Sequence, residues 1–168
     1  LKMYEYYGLE AISKIKGMFA FCLIDCKKDL TWIARDRFGI KPLIYYMDED
    51  RFVFGSTIDA VKESFIEDPI LDDYSLYLYM TMSYVPTPRT IYKDIYKLLP
   101  GHQVIISNNH VEVSSYWDAD SFDETNETFN KETFHDHMQN IVNSHLISEK
   151  PLGTFLSGGL DSSVITKM

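Results

Sequence analysis

The sequence predicts an α+β fold over residues 1–117 and the opening of an α/β domain over residues 130–168, joined by an acidic linker at 118–129. Three observations carry this. Short apolar runs separated by turn residues recur through the first third of the chain, at the spacing of an antiparallel sheet. Helical segments flank those runs instead of alternating with them, which separates α+β from α/β organisation. Near the C-terminus a short apolar run passes through a glycine pair into a helical pattern, the strand–turn–helix opening of a second unit.

Taken in order, Leu1–Lys16 reads as the end of a helix, with Tyr4, Tyr7, Ile12 and Ile15 at mixed helical spacing and Gly8 as a break. Gly17–Asp25 is apolar on both alternating sets and is expected to be a strand covered on both sides. Leu30–Ala34, Leu43–Met47 and Arg51–Phe54 follow as strands, with turns at Lys27–Asp29, Gly39–Pro42 and Asp48–Asp50. Between two of them, Arg35–Leu43 carries four charges around an apolar pair, read as a salt-bridged turn that holds the sheet. Short helices are expected at Ile58–Phe65 and Asp73–Met82, the second capped by Asp72 or Asp73 and ended by Val85–Pro88. The Tyr and Met residues of that second helix read as core or subunit-contact positions. Ile91–His102 closes on a Pro100–Gly101 turn, with His102 read as a surface turn histidine. Gln103–Ile106 and Val111–Val113 form a hairpin across Asn108–Asn109. Five acidic residues and no basic one between Asp118 and Glu127 mark the solvated linker. A helix capped by Asn130 then presents Phe134, Met138, Ile141, Val142 and His145 on one face.

Composition narrows the function classes. With 16 Lys and Arg against 25 Asp and Glu, the net charge of −9 excludes nucleic acid as the main partner, because phosphate backbones require clustered cations. No uninterrupted apolar stretch reaches membrane-spanning length, and nothing resembles a signal peptide. Cys22 and Cys26 lie about 13 Å apart if they share one strand, at roughly 3.3 Å per residue, too far for a disulfide. They are expected to be buried thiols in a reducing, cytoplasmic compartment. Hydrophobic residues make up 45% of the chain, enough for a core.

The densest chemistry lies in Pro151–Ser163. Leu152–Leu156 is expected to be a buried strand, and Ser157-Gly158-Gly159 a turn into a helix that starts near Asp161. Glycines there let the backbone take positive φ and approach a ligand, while consecutive amides and the helix dipole favour an anion. Ser157, Ser162 and Ser163 offer hydroxyl donors. Asp161 beside a phosphate calls for a cation between the two charges or for a role as N-cap. The familiar G-x-x-x-x-G-K-[ST] loop is excluded, since no Lys lies inside the turn and the next one after it is Lys167. Ser157–Ser163 resembles the pyrophosphate loop of the ATP pyrophosphatases.

With Gly17–Phe21, Ala34–Leu43, Pro88–Ile91, Lys97–His102, Tyr116–Trp117 and Pro151–Ser163 in this order, the chain resembles a glutamine-hydrolysing asparagine synthetase over nearly its whole length. The resemblance implies the C-terminal half of an N-terminal nucleophile-type αββα glutaminase sandwich, then the start of an adenine-nucleotide alpha-hydrolase-like domain. It implies ATP and Mg²⁺ as cofactors, and aspartate, glutamine and ATP as small-molecule substrates. It further implies conversion of aspartate to β-aspartyl-AMP and attack by ammonia released from glutamine, with a homodimer as a further partner. Carried over by position, Phe155, Ser157, Gly158, Gly159, Asp161, Ser162 and Ser163 bind the nucleotide, with Asp161 on the metal. The family's glutaminase nucleophile is an N-terminal cysteine, and neither Cys22 nor Cys26 occupies its place. The 168 residues are therefore expected to be an interior piece of a longer protein, inactive and poorly folded by itself. Thr57 departs from the glutamate that the family usually shows after the serine. Two other classes are open: a related amidotransferase acting on a β-lactam, sugar or peptide carboxylate, and a truncated protein that retains the β-rich module as a contact surface.

Overall fold

The computed structural model describes residues 1–108, 110–121 and 129–168, in two units, Leu1–Phe122 and Asp123–Met168. The first opens with α1 (Lys2–Tyr7), a 3₁₀ turn (Gly8–Glu10) and α2 (Ala11–Lys14). Gly8, at the expected break, has a φ of 58°, a left-handed value that glycine takes without a Cβ penalty. Strands β1 (Ala20–Asp25), β2 (Leu30–Arg35), β3 (Ile44–Met47) and β4 (Phe52–Gly55) follow, then α3 (Ile58–Lys62) and α4 (Asp73–Met82). Three more strands, β5 (Ile95–Lys97), β6 (His102–Ser107) and β7 (His110–Ser115), and a 3₁₀ turn (Ala119–Ser121) complete the described part of the unit.

The strands form two sheets, β1-β2-β6-β7 and β4-β3-β5, every pairing antiparallel. Alternation along β2 explains the layering, since successive side chains leave opposite faces. Trp32 and Ala34 pack outward with Ala11 and Ile12 of α2, joined by Tyr4, Phe21 and Leu23. Ile33 points the other way, into a core with Val104, Leu43 and Leu98, where Tyr45 and Phe52 meet it from the second sheet. Beyond that sheet, Ile44 and Ile95 pack on Val61 of α3. The order is helix, sheet, sheet, helix, and the fold is α+β.

Several expectations need correction. β1 is a sheet edge covered on one face only: Phe21 and Leu23 are packed, whereas Ile24 is 67% exposed and Cys22 and Cys26 are both exposed. A run that is apolar on both faces does not distinguish an edge strand from a central one; only pairing does. The Arg35–Leu43 turn is not salt-bridged, for none of the ion pairs among the described residues lies in it. Its two arginines bond to main chain instead. Arg35 donates to Lys41 O at 2.8 Å, to Gly39 O at 2.6 Å and to Leu98 O, and Arg37 donates to Ile15 O at 2.7 Å. α4 ends at Met82 with Ser83 left-handed at φ 63°, ahead of the prolines, and only Ser75 on it is buried. His102 begins β6, half-buried, with Nδ1 2.8 Å from Pro100 O. In the β6–β7 turn Asn108 has a φ of 50°, while Asn109 lies outside the described residues, as does most of the expected linker.

The second unit holds α5 (Lys131–His145) and α6 (Leu160–Lys167). Asn130 caps α5 as expected, its Oδ1 accepting from the amides of Glu132 at 2.9 Å and Thr133 at 3.0 Å. Met138, Ile141, Val142 and His145 of the expected face line an apolar cavity of about 410 Å³ with Ile165 and Thr166 of α6. No described residue of this unit is buried.

Candidate nucleotide-phosphate loop

The segment before the loop is not a strand. Leu152–Leu156 has no paired neighbour among the described residues, and Leu152, Phe155 and Leu156 are exposed, Phe155 by 102%. The reason is elementary: a strand exists through ladder hydrogen bonds to another strand, and apolar composition alone supplies none.

The turn itself has the local form the sequence predicts. Gly158 takes a φ of 81°, and a Cβ built there would meet nothing within 4 Å, so its requirement is conformational and not spatial. Gly159 is the N-cap of α6 and has no capping side chain. The first intrahelical bond is Ser163 N–H to Gly159 O at 3.1 Å, so the amides of Leu160, Asp161 and Ser162 precede it at the positive end of the helix. Asp161 falls within the first helical turn, which removes the alternative reading of it as an N-cap.

The serine hydroxyls form a closed circuit across the turn. Gly159 N–H points to Ser157 Oγ at 3.4 Å, and Ser157 Oγ lies 3.0 Å from Ser162 Oγ. Ser162 and Ser163 donate to Gly159 O at 3.1 and 2.7 Å. Because Ser162 gives its one proton to Gly159 O, Ser157 is the donor in the hydroxyl pair. Ser157, Gly159, Ser162 and Ser163 are thus brought together around one carbonyl, with Gly158 and Asp161 at the rim and Phe155 outside.

The donor set fits Mg²⁺ in one mode only. No group of three His, Cys, Asp or Glu residues among the described residues could cage a metal. Mg²⁺ commonly keeps several waters and takes one or two carboxylates plus substrate phosphates, and a single exposed Asp161 beside free amides suits that. The described residues of the first unit show no paired nucleophile and base; Cys22 lies on an edge strand and Cys26 in the turn after it. Two features had no clear signal in the sequence. Thr57 caps α3, its Oγ1 accepting from Ala60 N–H at 3.2 Å. Lys97 at the end of β5 is half-buried, its Nζ donating to Val85 O at 2.7 Å.

A helix–sheet–sheet–helix unit followed by this loop narrows the class, and comparison with known proteins agrees. Residues 1–117 match the glutamine amidotransferase domain family, and residues 133–168 match the asparagine synthase family. The chain belongs to the glutamine amidotransferase domain family, in the form that runs on into an asparagine synthase segment as in the glutamine-hydrolysing asparagine synthetases. It is 36% identical over 172 residues to asparagine synthetase (glutamine-hydrolyzing) 1 of Bacillus subtilis, covering 100% of this chain and 27% of that protein. It is 34% identical over 171 residues to asparagine synthetase B of Escherichia coli, covering 99% and 26%. It is 30% identical over 174 residues to the amidase chyE of Penicillium rubens, covering 100% and 25%. The chain spans between a quarter and a third of the length of such relatives. No helix among the described residues is long and apolar enough to cross a membrane.

Proposed function

We propose that the polypeptide carrying this chain makes asparagine from aspartate, ATP and glutamine through β-aspartyl-AMP, using ammonia from glutamine hydrolysis. In this reading residues 1–117 belong to the glutaminase, 118–129 link the domains and 130–168 open the synthetase. Cytoplasmic location and a homodimeric state belong to it as well. The observation that carries it is the turn at Ser157–Ser163, with a left-handed Gly158, unpaired first-turn amides and three hydroxyls gathered in one hydrogen-bonded cluster. Adenylation of a carboxylate puts negative charge on the departing pyrophosphate. Amides of Leu160–Ser162 and the hydroxyls of Ser157, Ser162 and Ser163 that meet this charge stabilise the transition state beyond the ground state. The hydroxyl circuit must open for this, each serine exchanging a protein acceptor for a phosphate oxygen. Gly158 and Gly159 let the main chain approach, and the main chain at Phe155 borders the nucleotide. Asp161 would hold Mg²⁺, which when bound would supply positive charge to offset that of the phosphates.

The test is aspartate-dependent pyrophosphate release by the intact polypeptide. Asp161→Ala is expected to lower kcat/KM at saturating Mg²⁺ by about 100-fold or more, as loss of a group that stabilises charge does. Undiminished turnover in that variant would remove the metal role. Amidation of another carboxylate is a second reading, kept because a relative 30% identical to this chain is named an amidase and not an asparagine synthetase. Turnover of an acceptor panel separates the two: aspartate alone supports the first, and a β-lactam precursor, sugar acid or peptide the second.

A further inference from the structure

The tyrosine-rich helix that the nucleotide reading leaves unused sits next to an unneutralised cation. Lys97 ends β5 half-buried, and its ammonium has one hydrogen-bond partner, Val85 O, for three N–H donors. Among the described residues no carboxylate comes within ion-pair distance of it. Burial, and secondarily the nearby Arg35 guanidinium, holds its pKa below the ordinary lysine value. Lys97 lines an open cavity of about 370 Å³ whose other walls include Ile58, Tyr79, Tyr84 and Ile91. A partly desolvated charge in such walls is costly unless an anion meets it.

The cavity is also continuous with a larger surface. Tyr79 of α4 and Tyr84, two residues past its end, are half exposed and line the cavity, and through Tyr79 it continues onto α4, where Leu76, Tyr77 and Met80 are exposed to solvent. A small anion filling the cavity would leave that face open, whereas an extended polypeptide covers both. Contiguous exposed aromatic and methionine side chains mark protein contact surfaces. We propose that Lys97 and the C-terminal end of α4 form a docking site for a polypeptide segment that inserts one acidic side chain between apolar neighbours. The carboxylate meets the ammonium, and the flanking apolar residues lie against Tyr79 and Tyr84. This proposal does not depend on the nucleotide loop.

The probes are two fluorescent, end-blocked peptides, Phe-Glu-Leu-Leu and Phe-Gln-Leu-Leu, titrated against the chain by anisotropy. The glutamate peptide is expected to bind about 10-fold more tightly, the scale of one charge-assisted hydrogen bond. Lys97→Met should erase that difference, Lys97→Arg should retain it, and Tyr84→Ala should weaken both peptides alike. Equal affinities, a preference that survives Lys97→Met, or no saturable binding at millimolar peptide would overturn the proposal. So would self-association that excludes the peptide and ignores Lys97→Met, which would assign the face to a second copy of the chain.

Discussion

At the scale of single residues, Asp36 does more for the first unit than its sequence context announces. It is 1% exposed, and its carboxylate accepts from the amides of Lys41 at 2.9 Å, Ile40 at 3.0 Å, Phe38 at 3.2 Å and Phe19 at 3.3 Å. Burial pushes its pKa up, but the four amides outweigh burial and the net shift is downward. Asp36→Ala leaves those donors without a partner and is expected to cost about 2–4 kcal/mol in urea unfolding. The sign of its pH dependence follows from the downward shift. The stabilisation is fully present above the unfolded carboxyl pKa of about 3.9 and is lost as pH falls through the lower folded value. Asp36→Asn should therefore flatten the fall in urea midpoint below about pH 4; an unchanged slope would assign it to other carboxylates. The glycines divide in the same physical way. A Cβ on Gly101, at φ 66°, would lie 2.4 Å from Trp117 O, so Gly101→Ala should lower stability by about 2 kcal/mol or more. Gly158 has open space around it, so Gly158→Ala carries only the left-handed penalty of roughly 1–2 kcal/mol. Its main readout is lost pyrophosphate release with the first unit's thermal midpoint unmoved.

Elements show where sequence reasoning succeeds and where it stops. Both side-chain caps depend on residues immediately next to a helix, yet only Asn130 was legible, because a polar residue before an amphipathic run is a local pattern. Thr57 was hidden by the interest of its departure from the family's glutamate, although a Thr three residues before the capped amide is an ordinary N-cap. Thr57→Ala should cost about 1 kcal/mol in the first unit, and Thr57→Asp should restore most of it; the comparison by urea unfolding separates capping from any other use of this position. Strands β1 to β4 were legible as short apolar runs set off by turn residues. β5 was not, being three residues long and carrying a lysine, and it exists through its ladder to β3. The order β1-β2-β6-β7 was likewise invisible, since β2 pairs with a strand far along the chain: Trp32 lies opposite Ile105, and its indole N–H donates diagonally to Gln103 Oε1 at 2.9 Å, 71 residues away. Leu152–Leu156 is the converse case, with strand composition and no ladder. The loop at Ser157–Ser163 was legible because everything that shapes it, two glycines and a helix start, is local.

For the whole molecule, the two units differ in what can hold them together, and this bears on the expectation that the chain folds poorly alone. The first unit closes three apolar clusters around Trp32 and Ala34, Ile33 and Leu98, and Ile95 and Val61, and among the described residues no buried side-chain polar atom lacks a partner. The second has two helices and an apolar cavity, and none of its described residues is buried. Apolar area removed from water is the main favourable term in folding, so a unit that buries no residue has little to set against the entropy of ordering its chain. The chain should therefore show one cooperative thermal transition, belonging to the first unit, with the second contributing little. Amide exchange separates the two directly. Ile33, Ala34 and Val104 should exchange through global opening, slowed by several orders of magnitude, whereas the amides of α5 and α6 should exchange close to the rates of an isolated helical peptide. Equal protection of Val142 and Ile33 would show that the second unit is stabilised by contacts beyond its own helices. A melt with no cooperative transition at all would show that the three clusters of the first unit do not suffice to fold it.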